Sequence, residues 1–221
     1  MRHTLILTFS LILTLSAPVR AQINAEITYV GNEGFMISNN NKKVFIDALY
    51  YYSYGAGILN VDTAVRNRIV GNKEKFANAD LFLITHNHPD HYDQTMMTNY
   101  LTNNPKAKLV AQSDIVSGIT KSSLTSQLVG IKPVQYQSID TTVNNIPLTV
   151  YNLIHNTGYR VYNVGYVADI DGFRIFHSGD NTFEDTTEYV GFNLSQKNID
   201  GSLLSYGGYW KTSKQREFVK K

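Results

Sequence analysis

The sequence predicts an α/β fold of the α+β kind, in which two mixed β-sheets pack face to face with helices on their outer faces as a four-layer αββα sandwich. Two observations lead there. The chain runs from short β-rich segments through a helical middle and back to strands, an order that suits layered sheets with helices outside. In the middle, residues 80–85 form an apolar run that reads as a buried strand and ends directly on a cluster of histidines.

The elements follow in order. Residues 26–30, 34–38 and 43–47 are β-rich runs separated by Gly31-Asn32 and by Asn39-Asn40-Asn41, the pattern of an antiparallel meander. A Tyr- and Gly-rich loop at residues 50–57 leads to a helix near residues 61–70. After the buried strand at 80–85 come a polar helix around 94–102, a strand at 108–111 and a short helix near 113–119. Strands at 148–154, 162–170 and 173–177 return the chain to β-structure, the last two joined by a tight Asp171-Gly172 hairpin. A last strand is expected within 199–205. Neither an internal repeat nor a low-complexity linker divides the chain.

The first residues, Met1-Arg2-His3, are basic, and residues 4–16 carry no charge and are rich in Leu, Ile and Thr. Small residues then occupy Val19 and Ala21, the two positions a signal peptidase reads. This predicts a signal peptide over residues 1–21, cleaved after Ala21, and a periplasmic or secreted protein without stable membrane insertion. An uncleaved anchor is the alternative, but the run is shorter than the roughly 20 apolar residues a spanning helix needs. With no cysteine in the sequence, a lipoprotein attachment, disulfides and thiolate metal ligands are all excluded.

Residues 22–221 are the expected single domain. They carry 18 basic and 18 acidic side chains, a balance that argues against nucleic acid as a partner and for a small-molecule substrate. The basic tail, residues 211–221, reads as a solvated helix face, with a surface-binding patch as the alternative.

His86, His88, Asp90 and His91 fall within six residues at the end of the buried strand, where side chains can converge on one point. The chain has only six histidines, so this clustering is ligand spacing. Imidazole nitrogen and carboxylate oxygen are the ligands zinc takes where cysteine is absent, and three protein ligands with an open position make a catalytic site.

The segment His86-Asn87-His88-Pro89-Asp90-His91 resembles the His-x-His-x-Asp-His motif of the metallo-β-lactamase superfamily, position for position. The resemblance implies that His86, His88 and His155 bind one metal ion. It implies that Asp90 and His91 bind a second, with Asp180 bridging both. The segment Phe176-His177-Ser178-Gly179-Asp180-Asn181 is similar to the family's His-x-Gly-Asp-Thr motif, with Asn181 in place of Thr. Asp47, at the end of Val44-Phe45-Ile46, resembles an early strand-terminal Asp and would orient a metal-bound His; a turn or capping Asp is the alternative. His177 either hydrogen-bonds close to the metals or completes a half-buried strand.

One departure concerns the second metal. The family has a further His on a strand after its Gly-Gly segment, which Ser205-Tyr206-Gly207-Gly208-Tyr209 resembles, yet no His follows His177. Either the chain continues beyond Lys221, or Asp90, His91 and Asp180 hold that metal with water.

The expected reaction is hydrolysis by a metal-bound hydroxide, since a bound metal brings the pKa of water to roughly 7. Asp90 would orient the attacking group. One or two zinc ions are expected, with manganese or iron as alternatives. Tyr50, Tyr51, Tyr52 and Tyr54 either wall the substrate pocket or pack the core. The closest likeness is to the branch with ascorbate-6-phosphate lactonase and the N-acyl-phosphatidylethanolamine phospholipases, which implies a lactone, another ester or a phosphodiester. A β-lactamase and a non-catalytic metal- or ligand-binding protein are the competing readings.

Overall fold

The computed structural model describes residues 24–52, 60–155, 161–184 and 187–205. The expected signal segment, Tyr54 and the basic tail lie outside these residues. No described helix is long and apolar enough to cross a membrane.

The meander forms as β1 (Glu26–Gly31), β2 (Gly34–Asn39) and β3 (Lys42–Ile46), paired antiparallel. Asn32 and Asn40 take positive φ angles of 45° and 50° in the two turns, a region asparagine tolerates better than most residues. β3 then pairs parallel with β4 (Leu81–Leu83), which pairs parallel with β5 (Lys108–Gln112) and through it with β6 (Leu128–Ile131). Parallel neighbours require crossovers. These are supplied by α1 (Thr63–Val70), α2 (Gln94–Asn103) and α3 (Ser113–Gly118). Asp62 caps α1 by accepting from the amides of Ala64 and Val65, and Asp93 caps α2 through Met96.

The second sheet has the order β11-β10-β9-β8-β7. Its strands are β7 (Ser138–Val143), β8 (Ile146–Ile154), β9 (Tyr162–Ile170), β10 (Phe173–His177) and β11 (Gly201–Leu203). A four-residue helix, α4 (Thr187–Val190), precedes β11. β9 and β10 match the expected bounds. β6 and β7 were not expected from the sequence. β6 is four residues interrupted by Gly130, and β7 is a largely exposed edge strand of Ser, Asp and Thr with no apolar run to reveal it.

Alternation along the strands builds the four layers. Val44 and Ile46 of β3, Leu81 and Leu83 of β4 and Val110 of β5 point between the sheets, where they meet Leu148, Val150, Val164, Tyr166 and Ile175. Phe45, Phe82, Leu109 and Ala111 point the other way, onto Ile69 of α1 and Met97, Tyr100 and Leu101 of α2. Strands covered on both faces need apolar side chains at every position, hence the unbroken run at 81–84. On the far face of the second sheet, Tyr151, Leu153 and Phe176 pack beneath Tyr189 and Phe192.

Hydrogen bonds fix the sheets to each other close to the end of β4. The buried Tyr166 hydroxyl donates to the Ile84 carbonyl at 2.7 Å. The Gln112 amide donates to the carbonyls of Thr85 and Tyr162 at 2.8 and 2.5 Å. Thr85, two residues past β4 and one before the histidine cluster, is thus held from both sheets, since its carbonyl also accepts the Val164 amide at 3.0 Å.

Candidate metal centre

The cluster sits where several strands end together. β4 delivers the loop with His86, His88, Asp90 and His91, β8 delivers His155 one residue past its end, and β10 delivers Asp180 three residues past its own. Two groups of donors result, His86 with His88 and His155, and His86 with His91 and Asp180; within each, one atom per residue lies within 4.8 Å of the others. His86 Nε2 is 3.0 Å from His88 Nδ1. Asp180 reaches both groups, with Oδ2 at 3.5 Å from His155 Nε2 and Oδ1 at 3.4 Å from His91 Nε2. Asp90 Oδ2 stands 4.0 Å from His91 Nε2.

Asp47 is fully buried at a positive φ of 46°. Its Oδ1 accepts the Thr85 amide at 2.9 Å, and its Oδ2 accepts the Thr85 hydroxyl at 2.5 Å and pairs with His91 Nδ1 at 2.8 Å. Because the Thr85 hydroxyl proton is spent on Asp47, the 3.0 Å contact between Thr85 Oγ1 and His86 Nδ1 requires His86 to be the donor. His86 is thereby fixed with Nε2 bare and turned into the cluster. One carboxylate orients a histidine of each kind, His91 directly and His86 through Thr85, as outer partners of metal ligands do. Asp47 also ties down the backbone of Thr85 through its amide.

His177 is fully buried, and its Nδ1 accepts the Gly179 amide at 2.9 Å, so Nε2 carries the proton and donates to the Glu33 carbonyl at 2.9 Å. It holds the turn that presents Asp180. Gly179 takes φ +54°, and a Cβ there would stand 2.2 Å from Asn163 Oδ1 and 2.8 Å from Thr85 Cβ. Asn163, also buried, accepts the Asp180 amide at 3.3 Å and donates to the Ser178 carbonyl at 3.1 Å.

The electrostatics suit cations. Burial and neighbouring imidazoles hold His86 and His88 below the usual histidine range, which leaves them neutral and able to donate lone pairs. Burial alone would raise Asp180, yet His91, His155 and His86 hold its carboxyl well below the usual carboxylate range. Burial likewise opposes protonation of His91, but Asp47 and Asp180 raise it well above the ordinary imidazole. Among the described residues, Asp90 Oδ1 is buried with no hydrogen-bond partner, and His91 Nε2 has Asp180 Oδ1 at 3.4 Å without a well-aligned hydrogen bond. Buried polar atoms are seldom left so, and both lie at the edge of the cluster, where a cation, if bound, would complete them. The donor set of imidazole and carboxylate, with no thiolate, fits zinc, manganese or iron.

The tyrosines divide. Tyr50 is a fully buried core residue, whereas Tyr51 and Tyr52 are 67% and 56% exposed. Arg66 lies over the Tyr51 ring at 5.3 Å. Leu49 bridges to Tyr92 and accepts the Asp93 amide at 3.0 Å, so this stretch leaves the fold beside the motif loop. Asn32, in the first turn of the meander, was not singled out from the sequence; its amide reaches Asp90 O and Oδ2 at 3.2 and 3.4 Å. Thr85, Asn163 and Glu188 were missed as well. Each is a common polar residue whose partners come from other segments of the chain, and nothing in the sequence singled it out.

The αββα sandwich carries a histidine and carboxylate cluster at its strand ends, and its relatives place it among the metal-dependent hydrolases. The model of the beta-lactamase superfamily domain matches residues 26–215, and the chain belongs to the metallo-β-lactamase superfamily. It is 27% identical over 200 residues to a metal-dependent hydrolase of Thermococcus kodakarensis, covering 88% of this chain and 77% of that one. A metal-dependent hydrolase of Saccharolobus solfataricus is 24% identical over 184 residues, covering 83% and 72%. Among solved structures, the chain is similar to CmlA, a diiron β-hydroxylase from Streptomyces venezuelae, with a TM-score of 0.54 and 14% identity over 82% of this chain and 34% of that one. That likeness is one of fold.

Proposed function

We propose that the protein is an exported hydrolase that cleaves an ester, lactone or phosphodiester bond with one or two metal ions, zinc first among them. The observation that carries the reading is the convergence of His86, His88 and His155, and of His91 with Asp180, on adjoining points. In this reading the three histidines hold the first ion, Asp90 and His91 hold the second, and Asp180 serves both. When bound, the ions supply an acidified water as nucleophile and polarise the oxygen of the bond to be cut.

The chain's own residues do the rest. Asp90, with Oδ2 held by Asn32, has its second oxygen available to accept a hydrogen bond from the attacking water and so to aim it. Asp47 holds His91 through Nδ1, and Thr85 keeps His86 in the tautomer whose bare Nε2 faces inward. Tyr51 and Tyr52 are exposed beside the motif loop, and as flat, amphipathic side chains they suit the wall of a pocket for an apolar or ring-shaped substrate. Export is supported by the basic start, the uncharged run and the small residues Val19 and Ala21 ahead of Gln22.

The test is metal content per chain on protein purified without chelator, for the wild type, His88→Ala and Asp180→Ala. Hydrolysis of a lactone, bis(p-nitrophenyl) phosphate and a chromogenic cephalosporin is assayed beside it. Bound metal in the wild type, lost together with lactone or phosphodiester turnover in both variants, is the expected result. Cephalosporin turnover alone would make the protein a β-lactamase. Metal without any turnover would favour a binding protein.

A further inference from the structure

We propose that Glu188 is a positioning residue that sets the separation of His155 from Asp180; the proposal rests on the metal-centre reading given above. Glu188 is 1% exposed, a buried carboxylate on α4. Its Oε1 accepts the Ile154 amide at 2.5 Å and its Oε2 accepts the Asn181 side-chain amide at 2.9 Å. Ile154 immediately precedes His155, and Asn181 immediately follows Asp180. One carboxylate therefore grips the residue next to a donor on each of two separate loops.

The grip is closed on the other side. The Asn181 amide also donates to the Ile154 carbonyl at 2.7 Å, while its Oδ1 accepts the Phe183 amide at 2.9 Å and the Tyr189 hydroxyl at 2.8 Å. All four hydrogen-bonding positions of this buried side chain are used. The topology explains why the grip is needed. β7 pairs with β8 only as far as Ser138 opposite Tyr151, so at Ile154 the edge of β8 has run past its neighbour. Its amide and carbonyl would be left without partners there, and Glu188 and Asn181 take them both. The end of β8, and with it His155, is thereby fastened to the loop after β10 that carries Asp180. The gap so fixed is the 3.5 Å between His155 Nε2 and Asp180 Oδ2.

Glu188→Gln tests this. Glutamine still accepts the Ile154 amide, but its own amide group then opposes that of Asn181, and the link between the loops opens. Zinc affinity is measured by chelator competition, the visible spectrum of the cobalt-loaded protein is recorded, and the metal-free protein is melted. Affinity weaker by about tenfold to a hundredfold, as for other residues that orient metal ligands, with a changed cobalt spectrum, is the expected result. Gln127→Leu serves as the control, since Gln127 donates to the carbonyls of Leu101, Asn104 and Ala107, remote from the cluster. Should that variant lose as much thermal stability and as much affinity, the effect is general loosening and the proposal is overturned. Unchanged affinity and spectrum in Glu188→Gln overturn it too. If the glutamine variant does not fold, Asn181→Ala opens the same link from the other end and must weaken zinc binding in the same direction. A wild type that binds no zinc or cobalt would instead refute the metal-centre reading, and this proposal with it.

Discussion

Asp47 Oδ2 lies 2.8 Å from His91 Nδ1, and both side chains are fully buried. The pair joins the end of β3 to the motif loop after β4, and it leaves the other ring nitrogen of His91 facing Asp180. Asp47→Asn keeps the backbone, because asparagine also tolerates positive φ, but its NH2 group must replace one of two accepting oxygens, so it cannot accept from the Thr85 amide and also from the Thr85 hydroxyl and His91. Affinity for the second metal ion is expected to fall by about 10- to 100-fold. Metal stoichiometry against free zinc concentration checks it, and two equal sites in the variant would refute the role given to Asp47.

Thr85→Val separates the two routes by which Asp47 acts. It removes the hydroxyl that accepts from His86 Nδ1 while leaving the direct contact of Asp47 with His91 intact. The first ion is therefore expected to be weakened more than the second, the reverse of the order for Asp47→Asn. A buried imidazole N–H left without a partner also costs about 1–3 kcal/mol of folding stability. Urea denaturation of the metal-free variant reads the stability, and zinc titration reads the order.

Gly179→Ala should be among the most damaging single changes in the chain. The backbone there is left-handed at φ +54°, and the new methyl would meet Asn163 and Thr85 at distances no side chain occupies. Backbone strain and overpacking together suggest a loss of about 2–4 kcal/mol. The same substitution at Gly172, where φ is +89° but a Cβ meets nothing within 4 Å, carries the strain alone. A denaturation midpoint lowered by no more at Gly179 than at Gly172 would show that the crowding is relieved cheaply.

The contrast between these positions shows what the sequence made legible. The motif residues stood out because three histidines and an aspartate within six residues have no ordinary structural explanation, and because β4, which leads into them, is an unbroken apolar run. β9 and β10 were bounded correctly since Asp171-Gly172 marks their turn. What could not be read were residues whose meaning is purely spatial. Thr85, Asn163 and Glu188 are unremarkable in sequence, and each acquires its role from a partner 7 to 38 positions away. β7 escaped notice for a related reason, since an edge strand open to water needs no apolar pattern. Tyr50 and its neighbours Tyr51 and Tyr52 look alike in the sequence, yet only the fold shows that the first is core and the others face outward.

Removing metal should cost stability as well as activity. The motif loop, the end of β8 and the loop after β10 come from three parts of the chain, and in the metal-free protein only outer partners hold their donors together. A cation that binds the folded state alone stabilises it by mass action, by about 2.7 kcal/mol when its free concentration is a hundred times the dissociation constant. For a protein of this size each kcal/mol moves the melting temperature by about 2–4 °C. Stripping with a chelator is therefore expected to lower it by about 5–11 °C, and adding back zinc to restore it. Asp180→Ala, which loses the carboxylate that reaches both His155 and His91, should melt at nearly the same temperature with and without zinc. A melting point indifferent to chelator in the wild type would mean that the cluster is held by its own hydrogen bonds and takes up no cation under those conditions.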